Sequence, residues 1–275
     1  MCNAACPLCP RENPFRFNKE QDIHHLTVDR IKELFSTEFI KNLDKMFMCG
    51  NYGDPAAGVH TLDIYRYFRE INPDITLGMN TNGSLRNAAW WSELAGILSN
   101  TLDFVIFSID GLEDTNHLYR VNTQWEKIIK NTTAFIQAGG NAQWDMLIYD
   151  YNSHQVDLAE VVARQMGFSW FRAKVSKRKN TIAWLQPPAG WVPPVLNTGP
   201  IMCHAKKEQS LYVSAAGIVH PCCFLGHNDG AVVDQYEEIK QHWNTPECHP
   251  TCKLVCSTDE NSTHFSKQWR LEVEL

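Results

Sequence analysis

From Asp44 to Val175 short apolar runs alternate with amphipathic stretches, and this alternation restricts the fold more than any other feature of the chain. DKMFMCG (44–50), DITLGMNTNG (74–83), LDFVIFSIDG (102–111), NAQWDMLIYDYN (141–152) and FSWFRAKV (168–175) read as buried strands. Between them LDIYRYFREINP (62–73), AAWWSELAGILSN (88–100), WEKIIKNTTAFIQAG (125–139) and VDLAEVVARQMG (156–167) read as helices, the first stopped by Pro73. Upstream, TVDRIKELFSTEFIKNL (27–43) carries Ile31, Leu34, Phe35 and Ile40 at helical spacing and predicts one amphipathic helix. Strict β-α alternation implies a parallel sheet with helices packed outside, as an open α/β sheet or a barrel. In either, chemistry gathers at the C-terminal ends of the strands. CGNYGDP, MNTNGS, SIDGLED and DYNSHQ are therefore expected around one rim.

The ten cysteines fall in two camps, three at 2–9 and six at 203–256, with Cys49 between. A chain of 275 residues that is 44% hydrophobic can bury a core without disulfides, so these thiols read as metal ligands or catalytic groups. No apolar run reaches the roughly 18 residues of a membrane helix, and no basic-then-apolar leader opens the chain. A cytoplasmic protein with no membrane partner is expected. The net charge of -6, with no basic block longer than RAKVSKRK (172–179), argues against a nucleic-acid partner. Residues 180–200 hold five prolines and read as a linker. The expected division is 1–178, a 179–200 linker and a cysteine-rich 201–275.

Cys2, Cys6 and Cys9 are spaced C-x3-C-x2-C. A structural zinc site takes four ligands, usually as two pairs, which suits three crowded thiols poorly unless His24 or His25 joins them. An iron–sulfur cluster with one iron left open fits better. CNAACPLC resembles the cysteine motif of the radical S-adenosylmethionine (SAM) superfamily. That resemblance implies a [4Fe–4S] cluster whose fourth iron binds SAM, one-electron cleavage of the sulfonium, and a 5′-deoxyadenosyl radical. It also implies a partial (β/α)6 barrel. CGNYGDP is similar to the family's glycine-rich motif that meets the SAM amino group, which singles out Gly50, Gly53 and Asp54. NTNG (80–83) and SIDGLEDTNHLYR (108–120) match the next two family segments, with Asn80, Asn82, Ser108 and Arg120 at cofactor-contact positions. Three positions depart from the family pattern. Only Met1 precedes Cys2 where the family has its first strand, Leu8 replaces a more usual aromatic, and Asp54 replaces a Glu.

CHAKKEQSLYVSAAGIVHPC (203–222) reads as a hairpin turning at Ala216-Gly217 and resembles the opening of SPASM and twitch modules, which carry auxiliary iron–sulfur clusters. Six cysteines are too few for two fully ligated clusters at four thiolates each, so one auxiliary [4Fe–4S] cluster is expected. Its expected ligands are Cys203, Cys222, Cys252 and Cys256, with Cys248 as a rival and a four-cysteine zinc site as the alternative metal.

The expected function is therefore a radical SAM oxidoreductase or maturase with a small C-terminal twitch-like domain. It would abstract a hydrogen from a peptide, protein or small molecule and draw electrons from a flavodoxin- or ferredoxin-like donor. Asp110, Tyr149 and Cys223 are the candidate catalytic residues; Asp145 lies on the strand leading to Tyr149. Two alternatives stay open. One is a redox-neutral epimerase using Cys223 or Cys49 as hydrogen donor, and the other is a non-catalytic zinc- or cluster-binding protein.

Overall fold

A computed structural model describes residues 1–9, 11, 24–176, 182–192, 203–223 and 266–271. The chain divides into two compact units: Met1–Ile23 with Phe35–Trp191 and Phe265–Leu275, and His24–Leu34 with Val192–His264. The strands are β1 (Lys45–Met48), β2 (Thr76–Thr81), β3 (Phe104–Ser108), β4 (Ala142–Ile148), β5 (Trp170–Val175), β6 (Tyr212–Val213), β7 (Val219–His220) and β8 (Lys267–Arg270).

In the first unit β1 to β5 pair in chain order, each parallel to the next, which is the α/β sheet that the alternation predicts. The sixth strand enters differently. β8 lies antiparallel on β5, with Trp170 opposite Arg270 and Ala173 opposite Lys267, so the outer edge of β5 is paired. Lys267 Nζ ties this strand to Asp157 and Glu160.

Helices return the chain between the strands: α3 (Thr61–Ile71), α4 (Ala88–Ile97), α6 (Trp125–Gln137) and α7 (Val156–Met166), with the short α5 (Asn116–Tyr119) after β3. α3 buries Ile64, Tyr65 and Phe68 on one stripe, and α4 starts where Asn87 accepts from Trp90 N. Under α4 and α6, Trp91, Phe107, Phe135, Phe168 and Trp144 meet at tilted or edge-on angles in the buried core. Full burial of such side chains stabilises by about 1.5–3 kcal/mol each.

At the N-terminal side of the sheet Asp103, just before β3, is buried; it accepts from Leu77 N at 2.8 Å and Asn100 N at 2.9 Å and pairs with Arg69. Arg69 also donates to Ile75 O at 2.7 Å, so α3, β2 and β3 are joined at one polar knot.

The helix expected over 27–43 is two: α1 (Val28–Leu34) in the second unit and α2 (Thr37–Lys41) in the first. Ser36 is the reason. It is extended (φ -66°, ψ 156°) and its side chain accepts from Phe39 N, so it caps a new helix and does not continue the old one.

In the second unit α8 (His204–Lys207) follows Cys203, and β6 pairs with β7 as the hairpin read from the sequence. Arg30 of α1 donates from Nε (3.3 Å) and Nη2 (3.0 Å) to Gly217 O at the hairpin turn.

Candidate active site

Cys2, Cys6 and Cys9 lie on the N-terminal loop as free thiols. Cys6 is buried in a small cluster with Ala4, Tyr119, Tyr149 and Leu185, against which Cys2, Leu8 and Cys9 pack half-buried. The loop is held by backbone bonds from Ala5 N to Val121 O (3.0 Å) and from Cys9 N to Cys6 O (2.9 Å).

Cys2 sits over the end of β2. Its sulfur accepts from Ala4 N at 3.4 Å and lies 3.5 Å from the Asn82 amide nitrogen, which also donates to Asn3 Oδ1 at 2.9 Å. Asn82 is held in turn by Asp54: its backbone N–H donates to Asp54 Oδ2 at 2.7 Å. Asp54 Oδ1 accepts from Ala56 N and from the Thr81 hydroxyl, each at 2.9 Å. Burial pushes the Asp54 carboxyl above the usual carboxylate range, and these donors offset part of that rise. Asp54 thus acts as a clamp between the β1 and β2 ends, a role its charge alone does not suggest.

Two glycines make the close approach possible. Gly50 has φ +65°, and a Cβ there would meet Gly53 O at 3.2 Å and Asn80 O at 3.3 Å. A Cβ on Gly53 would stand 2.7 Å from Met1 O. Asn80, at the end of β2, donates to Cys49 O at 3.4 Å, while its buried Oδ1 has no hydrogen-bond partner among the described residues.

Cys6 faces the next strand ends. Arg120 Nη1 lies 3.7 Å from Cys6 Sγ, and Arg120 Nε donates to Asp110 Oδ2 at 2.6 Å. The other Asp110 oxygen accepts from Leu147 N at 2.7 Å, and Asn152 donates to Asp110 O at 2.8 Å. Asp110 is fully buried; burial raises its carboxyl pKa and the Arg120 charge offsets part of that. Burial also raises the thiols of Cys2 and Cys6, partly countered for Cys6 by Arg120.

Tyr119, Tyr149 and Tyr151 form a ladder beside Cys6, with ring centroids 5.2 and 5.8 Å apart, and Tyr151 continues to Trp184 at 6.0 Å. The buried Tyr151 hydroxyl has no hydrogen-bond partner among the described residues. Burial pushes the phenols of Tyr149 and Tyr151 far above their usual value.

The geometry therefore brings Cys2, Cys6, Gly50, Gly53, Asp54, Asn80, Asn82, Asp110, Arg120 and Tyr149 to the C-terminal side of the parallel strands. Ser108 closes β3 opposite Asp145, which pairs with Arg172 at 2.5 Å and so serves the sheet. Cys49 follows β1, its thiol raised by burial. Cys203, Cys222 and Cys223 belong to the second unit, half-buried. Cys248, Cys252 and Cys256 lie outside the described residues. Sequence reasoning missed Asn3, Thr81, Tyr119 and Tyr151. Asn3 and Thr81 stand inside motifs already singled out, but only the folded chain reveals their partners.

Among the described residues no three His, Cys, Asp or Glu side chains converge on a single metal ion. A cubane asks for something else, one thiolate for each of three irons. Three free thiols on one small cluster, with N–H donors at Cys2 and Cys6, supply that donor set. The raised Cys2 and Cys6 thiols would lose their protons as metal binds.

Among curated proteins no sequence matches the chain. Among solved structures it is similar to Streptococcus suis SuiB, with 13% identity and TM-score 0.61 over 90% of this chain and 64% of that one. SuiB bound to precursor peptide SuiA matches at 11% identity and TM-score 0.61, over 90% and 63%. Native anSMEcpe with bound AdoMet matches at 14% identity and TM-score 0.51, over 67% and 52%. The chain thus spans less than two thirds of the length of each, and at these identities the likeness is one of fold. The family model described as the radical SAM superfamily matches residues 1–162, more than half of the chain, and together with the cysteine loop and the parallel-strand rim this means that the chain belongs to the radical SAM superfamily.

Proposed function

We propose that the chain is an enzyme that cleaves S-adenosylmethionine reductively and abstracts a hydrogen atom from a peptide or protein substrate, with a net oxidation or modification as the outcome. The observation that carries this reading is the convergence of Cys6, packed near Cys2 and Cys9, with the Arg120–Asp110 pair and the Gly50–Asp54 turn. When bound, the [4Fe–4S] cluster with SAM supplies a one-electron reductant and a 5′-deoxyadenosyl radical.

The chain's own residues perform the rest. Cys2, Cys6 and Cys9 hold the cluster, and Gly50 and Gly53 keep the rim clear of side chains so that backbone atoms reach the SAM amino group. Asn80 offers its buried, unpartnered Oδ1 as an acceptor on the same side. Ser108 and Arg120 serve the carboxylate and ribose of SAM, and Asp110 fixes the guanidinium. The tyrosine ladder walls the substrate side and excludes water. Tyr149 and Tyr151 present hydroxyls that are protonated across the physiological range, as phenols ordinarily are, and burial raises them further.

A peptide substrate is favoured over a small molecule because SuiB was solved with precursor peptide SuiA and anSMEcpe with Kp18Cys peptide. Residues 201–275, apart from the β8 end that pairs with β5 in the first unit, would form a twitch-like domain with one auxiliary cluster on Cys203, Cys222, Cys252 and Cys256, the β6–β7 hairpin lying between the first two in sequence. The partial barrel takes 1–178, and a flavodoxin- or ferredoxin-like protein donates the electron in the cytoplasm.

The test is iron, sulfide and zinc content of anaerobically reconstituted protein, with SAM cleavage assayed on the same sample. About eight irons, two cubanes at four each, with 5′-deoxyadenosine formed, supports the two-cluster enzyme. About four irons with one zinc removes the auxiliary cluster. No iron and no cleavage sinks the reading.

A further inference from the structure

The Arg120 guanidinium bridges a carboxylate and a sulfur. Its Nε is tied to Asp110 Oδ2 at 2.6 Å, and its Nη1 reaches Cys6 Sγ at 3.7 Å, an ordinary length for a bond to the larger sulfur atom. The carboxylate that holds it cannot swing away. Asp110 Oδ1 is engaged by Leu147 N at 2.7 Å, the Asp110 backbone N–H donates to Asn116 Oδ1 at 2.9 Å, and Asn152 grips the Asp110 carbonyl. The guanidinium is therefore clamped with one end on a sulfur that packs inside the cysteine loop.

Reduction of an iron–sulfur cluster adds a negative charge, much of it shared with the thiolate sulfurs. A cation that donates an N–H to one of those sulfurs stabilises the reduced form more than the oxidised form, and so raises the reduction potential. In a site removed from water this effect is screened less than at the surface. The Arg120 side chain is only partly exposed, and its partner Asp110 is fully buried.

We propose that Arg120, positioned by Asp110, sets the reduction potential of the cluster held by Cys2, Cys6 and Cys9 through its N–H donation to Cys6 Sγ. This rests on the functional reading above and adds to it an assignment for the Arg120–Asp110 pair that is independent of SAM. A guanidinium stays protonated at any working pH, and the Asp110 carboxylate holds this one at 2.6 Å. Asp110 is here a positioning residue. Its carboxylate aims the donor and balances its charge, and neither group touches the substrate for this purpose.

The experiment is an EPR-monitored redox titration of the reconstituted cluster with no SAM present, so that a lost SAM contact does not enter. Arg120→Met alone strands a buried carboxylate and risks the fold. The decisive variant is therefore the double Arg120→Met/Asp110→Asn, which removes the donor while leaving the net charge of the pair at zero. With iron content equal to wild type, its midpoint potential is expected to shift to a more negative value, and Arg120→Lys, which keeps the cation but not the planar fork, to fall between the two. A midpoint equal to wild type in a fully loaded double variant overturns the proposal. A wild-type chain that takes up no iron overturns the functional reading instead, and iron content tells the two failures apart.

Discussion

The carbonyl oxygen of Met1 accepts a 2.7 Å hydrogen bond from Asp54 N, and a Cβ on Gly53 would stand 2.7 Å from that same oxygen. At 2.7 Å a methyl group and that oxygen overlap, so Gly53→Ala should push Met1 and the adjoining Cys2 off the β2 end. The expected result is a folded protein with a reduced iron content after reconstitution; undiminished iron would show that the loop yields. Gly96, inside α4, has open space where a methyl group would stand, with nothing within 4 Å. Gly96→Ala should raise stability by about 0.5–1 kcal/mol, read by urea denaturation.

Asp54 gives a pH signature. Burial raises its folded-state pKa above the unfolded value, so its contribution to stability is fully present below the unfolded pKa and is lost as pH rises through the folded one. Asp54→Asn removes that dependence, although the amide nitrogen then faces donors and lowers stability overall. Between about pH 4 and pH 7 the stability of wild type should fall relative to the variant. Denaturation curves at both ends of that range check the slope, and a relative gain by wild type would reverse the assigned direction.

The knot at Arg69 and Asp103 is remote from the cysteine loop in the sheet, at the opposite strand ends. Arg69→Met leaves Asp103 buried without its cation and should cost about 3–5 kcal/mol. SAM cleavage per folded, iron-loaded molecule should be unchanged. A loss of cleavage at full iron loading and below the unfolding temperature would show that the two ends of the sheet are coupled.

How much was legible depended on the range of the interaction. β1 to β5 were readable because each is an apolar run bounded by turn residues, and the rim followed because parallel strands all end on one side. The hairpin at Tyr212 to His220 announced itself through Ala216-Gly217. Periodicity did not reveal the break at Ser36, since Ile31, Leu34, Phe35 and Ile40 keep helical spacing through a residue that caps a second helix. Nor did it reveal β8, four residues whose pairing partner lies far back in the chain. Within the site, Asp54 and Arg120 were visible as motif positions, but the bonds to Asn82 and Cys6 join residues far apart in sequence, which one sequence leaves unmarked.

Tyr151 offers a test of substrate handling apart from cofactor chemistry. Its buried hydroxyl has no partner among the described residues, so Tyr151→Phe removes an unsatisfied group and should leave stability unchanged or higher by about 1 kcal/mol. If that hydroxyl meets the substrate, product formation should fall while 5′-deoxyadenosine release persists. Equal product yield from the variant would exclude Tyr151 from the substrate contact.

The antiparallel seat of β8 on β5 also bears on biogenesis. On the ribosome β1 to β5 emerge in order and can pair as they appear, but β5 must wait with one side bare until residues 267–270 follow, after the whole cysteine-rich stretch has been translated. An unpaired strand edge is a template for mispairing with a neighbouring nascent chain. Translation of the 203–256 stretch is then an interval in which β5 presents an unpaired edge, and slow elongation there would prolong it.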